Sequence, residues 1–481
     1  MLPKNLKYGS KIESAVARSS RVNIQPQNGT STYNANDTII FNLPTRNNLV
    51  MVPTESYLKF NVVFTSGAAD NAFRWDSCGA HGLIQRIRVF HGSNLLQDID
   101  NYGLLAKMLF DLQQPTDAVY GKQNILSGTR ADLAVKMPTI TPLAGVQTDA
   151  TINVALAQVS AKNMSAVQSN SGERLLSSAG GNALIANAGT TATFTYCLNL
   201  VSLVGSLCSS SYIPLFAMTS SPLRVEIQLV PNAVNACACL TGTNTNSFAL
   251  TNCEYVANMI ELGDSAMQTI YSSLGGEPLQ FVVPDFRNYQ FTGTIPTGNV
   301  STQIVFPIPA KFTSLKSLFI TVRDKGTGAG TFFPYSSVAC GIQEYYFRLG
   351  ATTMPSKNPN TLAEMFSETV KAIGSIGDIH YSPSIDKVSY NLPVSVALDD
   401  VATVNQTSIV NSGSFYIGLD LENYASADKS SIFSGYNSNN DDCFVFLTFS
   451  QNTGAINARF DSFANFDTVV VCENGTSYVK F

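Results

Sequence analysis

The feature that most limits how this chain can fold is a repeat of its own pattern. Ile84-Gln85-Arg86-Ile87-Arg88-Val89-Phe90-His91-Gly92 lines up with Ile342-Gln343-Glu344-Tyr345-Tyr346-Phe347-Arg348-Leu349-Gly350, 258 residues further on. At the same offset Phe60, Val62 and Phe64 fall on Leu318, Ile320 and Val322, and Leu104 falls on Leu362. Upstream, Ile39-Ile40-Phe41-Asn42-Leu43-Pro44 resembles Ile304-Val305-Phe306-Pro307-Ile308-Pro309 at an offset of 265. Strand, strand, strand and helix thus recur in one order and nearly one spacing. Identities are few, but a shared order of this length predicts two homologous units, with a boundary near 265–277.

The units read as β-sandwiches. Ser56 to Phe64 alternates, with Leu58, Phe60, Val62 and Phe64 on one face. Arg86 to Phe90, Thr193 to Tyr196 and Leu223 to Leu229 alternate likewise. Such strands bury one face and wet the other, as antiparallel sheets do. Later runs, Ser317 to Val322, Phe444 to Phe449 and Thr468 to Val471, are more continuously apolar. Helical patterns are short. Asn101 is placed to cap a run from Tyr102 to Leu112, striped by Leu104, Leu105, Met108, Leu109 and Leu112. A second runs from Thr361 to Ile373, with Thr361 and Glu364 in capping-box register. A third, Ser265 to Leu274, bridges the units. Two stretches rich in small polar residues, near 130–190 and 232–250, read as long surface insertions.

With 481 residues the chain has room for a core in each unit. Charged residues make up only 13%, about half the usual share, so the surface is largely neutral and polar. Neutral surfaces of this kind pack side by side at little electrostatic cost, as assembly subunits must. A net charge of −5 excludes wholesale tracking of a phosphate backbone. The first 22 residues are locally basic, with Lys4, Lys7, Lys11, Arg18 and Arg21 against Glu13, and read as an N-terminal arm. Nine cysteines at irregular spacing, most in apolar runs, predict buried free thiols made in a reducing compartment. The opening MLPKNLKYGS has no apolar export core, and no apolar run reaches the ~18 residues of a membrane span.

Three segments give the chain a family likeness. They are IQRIRVFHGSNLLQDIDNYGLLAKML (84–109), the run from SLKSLFITVRD (314–324) through IQEYYFRLGATTMPSKNP (342–359) to TLAEMFSETVKAIG (361–374), and the closing FDSFANFDTVVVCENGTSYVKF (460–481). Together they resemble the double jelly-roll major capsid proteins of tailless icosahedral DNA viruses, the adenovirus-like lineage, and most nearly those of polinton-like viruses and virophages. The resemblance implies an all-β double jelly roll. It divides the chain into a basic arm (1–34), a first jelly roll (35–264) carrying both insertions, a linker helix (265–276) and a second jelly roll (277–481). It implies a homotrimeric, pseudo-hexagonal capsomer that tiles a virion shell beside neighbouring capsomers, penton and minor capsid proteins. The insertions would form exposed towers, and the arm would point inward toward an internal membrane or the genome. The protein would be made in the host cell during assembly.

No catalytic, cofactor-binding or metal-ligating set emerges from the residues. His81, His91 and His380 are too few and scattered for zinc, and Cys237-Ala238-Cys239 lacks a second pair. Gly326 to Thr331 has the glycines of a phosphate loop without its lysine or helix. Gly263-Asp264-Ser265-Ala266 is a faint nucleophile-loop pattern without the elbow, and Asp264 or Ser265 reads better as the cap of a helix starting near Ala266. Asp399-Asp400 and Asp441-Asp442 are candidate calcium acids that read more simply as loop carboxylates. Trp75, the only tryptophan, is either a core residue or a loop anchor at a subunit contact. The competing classes are a tandem β-sandwich adhesin or lectin, which predicts an export signal and paired cysteines, and a sandwich glycosidase, which needs two carboxylates facing one cleft.

Overall fold

The computed structural model describes residues 17–65, 67, 73–128, 191–209, 211–239, 245–296, 301–324, 332–374, 376–378, 381–392, 412–422, 434–450 and 456–481. The first unit runs through β1 (Ala17–Ile24), β2 (Thr32–Asn34), β3 (Thr38–Leu43), β4 (Leu49–Thr65), β5 (Phe73–Arg74), β6 (Ile84–His91) and β7 (Asn94–Asp100). Helix α1 (Tyr102–Gln113) follows, then β8 (Thr191–Leu198), β9 (Leu223–Leu229), β10 (Ala238–Cys239) and β11 (Ser247–Leu262). Helix α2 (Asp264–Leu274) leads into β12 (Leu279–Ile295), β13 (Thr302–Ile308), β14 (Leu315–Asp324), β15 (Ile342–Leu349) and β16 (Thr352–Met354). After helix α3 (Leu362–Lys371) come β17 (Tyr416–Asp420), β18 (Cys443–Phe449), β19 (Ile456–Glu473) and β20 (Thr476–Lys480).

The sheets state the repeat in topology. One sheet of the first unit runs β1-β11-β4-β8 and its mate β3-β9-β6-β7; the second unit has β12-β19-β14-β17 and β13-β18-β15-β16. Each strand on these four paths finds its counterpart in the same slot, while β2, β5, β10 and β20 stand outside the match, and α1 and α3 both follow the edge strand of the four-stranded sheet. Facing four-stranded sheets joined in this crossed order are jelly rolls. The correspondence reaches irregularities: β6 bulges against β9 between Ile84 and Arg86, and β15 bulges against β18 between Ile342 and Glu344. Both strands then turn at a left-handed glycine, Gly92 at φ +59° and Gly350 at φ +57°. A side chain at Gly350 would also press on the Asp441 carboxylate, which would have to shift, so the left-handed backbone is what asks for glycine there.

Alternation does what the sequence predicts. Leu58, Phe60, Val62 and Phe64 are buried while the residues between them are half exposed. In β14 all residues from Leu315 to Val322 are buried, because both faces of that sheet are covered. The second roll has its own core, including Phe306, Leu318, Tyr345, Val445 and Phe460. The first roll's core does not stop at the first roll. It takes in Phe286, Phe319, Tyr416 and Phe463 from the second.

Three expectations change. Residues 17–24 were expected in a free arm, yet they form β1, paired along its length with β11 from Ala17–Leu262 to Ile24–Tyr255. Its polar, charged sequence is that of an edge strand, where alternation is weak. The stretch 232–250 is not polar loop throughout. Ala236, Cys237 and Ala238 are buried against the first roll, β10 pairs with β5, and Ser247 onward belongs to β11. Helix α2 begins at Asp264, and Gly263 precedes it with no side-chain cap bond. The insertion at 130–190, Gly326 to Thr331, His380 and Asp399-Asp400 lie outside the described residues.

Candidate functional site, the seam between the two rolls

Helix α1 is apolar nearly all round and buries ten of its residues, including Lys107 and Asp111. A helix buried on every side has no wet face on which to put a charge, so these two must be satisfied inside. Lys107 Nζ donates to Asp111 Oδ2 at 2.6 Å and to Ser77 and Ser414 Oγ at 3.2 Å each, with Asp76 Oδ1 at 3.5 Å. Asp111 Oδ2 also accepts from Ser414 Oγ and the Tyr416 hydroxyl, both at 2.8 Å. Ser412 donates to Asp76 Oδ2 at 2.9 Å. Lys107, Asp111, Asp76 and Ser77 belong to the first roll; Ser412, Ser414 and Tyr416 belong to the second. The ion pairs lie within the first roll, and the neutral hydroxyls of the second complete their hydrogen bonds when the two rolls are together.

Further polar contacts cross the seam. Asn101, expected to cap α1, makes no side-chain cap bond; it sits at φ 55° and donates instead to Asp461 Oδ1 at 2.9 Å. Asp461 is fully buried and also receives Arg323 at 2.7 and 2.8 Å and Arg459 at 3.1 and 3.2 Å. Burial, then the neighbouring Arg323, push Arg459 below the usual guanidinium range. Gln97 of β7 donates to Asp285 of β12 at 2.8 Å, while its carbonyl accepts from the Leu203 N–H at 2.6 Å. Burial drives Asp285 up to about 7, against the pull of the Gln97 and Phe286 hydrogen bonds. Tyr335 lies on Gly103, where any side chain would meet its ring at 2.6 Å, and donates to the Gly82 carbonyl at 2.7 Å.

The C-terminal hairpin β19–β20 clasps the first roll. The Ser477 N–H donates to His91 Nδ1 at 3.0 Å, which leaves the ring hydrogen on Nε2 for the Ser221 carbonyl at 3.1 Å. Asn94 donates to the Ser477 carbonyl at 2.9 Å, and the Ser220 N–H to the Gly475 carbonyl at 3.0 Å.

The described residues among those singled out in the sequence have partners within the chain. His81 is buried, 2.8 Å from the Tyr102 hydroxyl and edge-on to Phe110, and burial pushes it down to about 3. Trp75 is a core residue, donating to the Tyr196 hydroxyl at 2.9 Å and packing edge-on against Phe64. Asp442 is paired with Lys311 at 2.8 Å, and Asp441 accepts from the Tyr436 hydroxyl. Cys237 is buried, and burial likewise pushes Cys340 and Cys443 up to about 12. Among the described residues no three His, Cys, Asp or Glu side chains are grouped to hold a metal. The same residues carry no helix long and apolar enough to cross a membrane. The seam itself was missed. Its one signal in the sequence is Lys107 and Asp111, four apart on a helix that is otherwise apolar or small.

No family model and no curated protein matches the chain. Solved structures do. The structure of the Sputnik virophage by cryo-EM aligns over 100% of this chain and 91% of that one, at 9% identity and TM-score 0.56. The mavirus major capsid protein covers 100% and is covered to 93%, at 10% identity and TM-score 0.54. The Faustovirus major capsid protein aligns over 97% and 92%, at 10% identity and TM-score 0.53. The chain has the fold of these capsid proteins, the double jelly roll.

Proposed function

We propose that the protein is the major capsid protein of an icosahedral DNA virus, and that three copies form a pseudo-hexagonal capsomer which tiles the shell with neighbouring capsomers, penton and minor capsid proteins. The observation that carries this is the head-to-tail arrangement of the seam. It joins unlike faces of two like rolls: α1 of the first meets the five-stranded sheet of the second, through residues such as Phe319, Tyr416 and Phe463. The complementary pair of faces is left over. Helix α3 buries only Met365, Thr369 and Val370, where α1 buries ten residues. The five-stranded sheet of the first roll carries half-exposed or exposed polar residues, Lys59, Asn61, Glu254 and Thr195 among them. A head-to-tail contact whose free ends match generates a closed ring when the rotation closes. Six rolls from three chains would place α3 of each copy against the first roll of the next.

The fold shared with virophage and Faustovirus capsid proteins supports this reading, as does the low surface charge. The role is structural. The charged groups at the seam are engaged with one another and hold the rolls in one orientation. The basic first residues are read as facing the shell interior. Light scattering on a sizing column, with negative-stain imaging, tests the proposal. A species near three times 51.7 kDa with a hexagonal outline is expected. A monodisperse monomer at high concentration overturns it.

A further inference from the structure

An open groove of about 850 Å³ lies where α2, the start of β12 and the β19–β20 turn meet the first roll. Its apolar side is Phe216, Tyr271 and Leu274; its rim carries Asp264, Glu277 and Glu473, and no Lys or Arg is among the described residues lining it. Helix α2 buries only Met267. Tyr271 is 53% exposed, its ring held edge-on to Phe216 at 6.1 Å. An aromatic on a rigid helix, turned to water beside three carboxylates, is a receptor for a chain bearing amines and apolar side chains.

We infer that this groove receives the protein's own residues 1–16. The described chain begins at Ala17, which pairs with Leu262, and Leu262, like Ile270 and Leu279, packs against Val50, Phe216 and Met267 in the cluster under the groove. Ala17 thus stands at the groove's edge, its partner Leu262 two residues from Asp264. It carries Lys4, Lys7 and Lys11 against the single acid Glu13, with Leu2, Tyr8 and Ile12 between them. Charge and apolar content both complement the lining. Sixteen residues extended reach roughly 50 Å, ample to follow the groove past Tyr271 to Glu473. The inference does not depend on the capsid reading, since it concerns contacts within one chain.

Zero-length coupling with a carbodiimide tests it on the intact protein, joining lysine amines to carboxylates as amides with loss of water. Mass spectrometry is expected to find Lys4, Lys7 or Lys11 linked to Asp264, Glu277 or Glu473. Trypsin is expected to cut after Lys7 and Lys11 about tenfold faster in the triple variant D264K/E277K/E473K, the factor that three exposed ion pairs supply. Wild type in about 0.5 M NaCl should show the same acceleration without any substitution, because such pairs are screened. Tyr271→Ala should also accelerate cleavage while keeping the carboxylates. Links to other carboxylates only, or cleavage rates unmoved by both salt and substitution, overturn the assignment. Links between isotopically heavy and light copies in a mixed sample overturn it in favour of a neighbouring copy.

Discussion

The two rolls place the same secondary structure at the same offset and use it for different ends. Helix α1 has Lys107 and Asp111 where α3, 258 residues on, has Met365 and Thr369. All four are buried. Met365 belongs to the second roll's own core, and Thr369 caps the β17 edge by bonding the Tyr416 carbonyl and the Gly418 N–H at 2.9 and 3.1 Å. Lys107 and Asp111 reach into the other roll. The outer faces of the four-stranded sheets diverge in the same way. Arg88 pairs with Glu226 at 2.9 Å on the first, while the equivalent Tyr346 stacks on Phe446 at 4.5 Å on the second. Duplication kept the scaffold, and positions on its outside were free to acquire separate partners.

Substituting one roll's residue by its counterpart breaks this comparison most sharply at the seam. Lys107→Met should cost about 3–5 kcal/mol in chemical denaturation, because Asp76 and Asp111 are left buried without a cation. Adding Asp111→Thr should return about half of that loss, since the pair is then replaced by the second roll's own solution; no recovery would mean that Asp76 alone sets the cost. Phe319→Ala, in the covered sheet, should cost about 3 kcal/mol. Its counterpart Asn61→Ala, on the uncovered sheet, should change folding by less than about 0.5 kcal/mol and instead weaken self-association in sedimentation. Equal folding losses would erase the distinction between the two faces.

A pH series sharpens the picture at β12. Asp285 stands at about 7 in the folded chain and near 3.8 when unfolded, so between those values the folded state holds a proton that the unfolded state has released. Stability contributed by this group is complete below pH 4 and is lost as pH rises toward 7, at up to about 1.4 kcal/mol per unit. Asp285→Asn keeps the acceptor for Gln97 but cannot ionise. The difference in unfolding free energy between variant and wild type should therefore grow from pH 4 to 7 and level off above. A flat difference would place the carboxylate in contact with water. A comparably small effect on folding is expected at Arg88→Ala, under about 0.5 kcal/mol, because that pair is part exposed.

Much of the fold was legible because burial on one face writes a period into the sequence. Strands β4, β6, β9 and β15 alternate, the two helices carry apolar stripes, and the repeat aligns them. Strand β1 was not legible, since Arg18 to Asn23 sits on a sheet edge with little to bury. The seam was less legible still. Lys107 and Asp111 look like an ordinary solvated pair on a helix, and only the packing of a second roll over them makes them a lock. Likewise nothing near Asp461 in sequence announces that Arg323 and Asn101 converge on it from 138 and 360 residues away. Contacts set by tertiary proximity leave no local period.

That separation has a consequence in time. Ser477 meets His91 across 386 residues, and Asn101 meets Asp461 across 360. At a synthesis rate of about 5–20 residues per second, the first roll is complete roughly ten to forty seconds before the hairpin that clasps it leaves the ribosome. Through that interval α1 and its buried charges face solvent or a chaperone. A nascent first roll therefore shows an uncovered seam to any second roll it meets, and mispairing between half-made copies is a hazard until its own second roll closes over it.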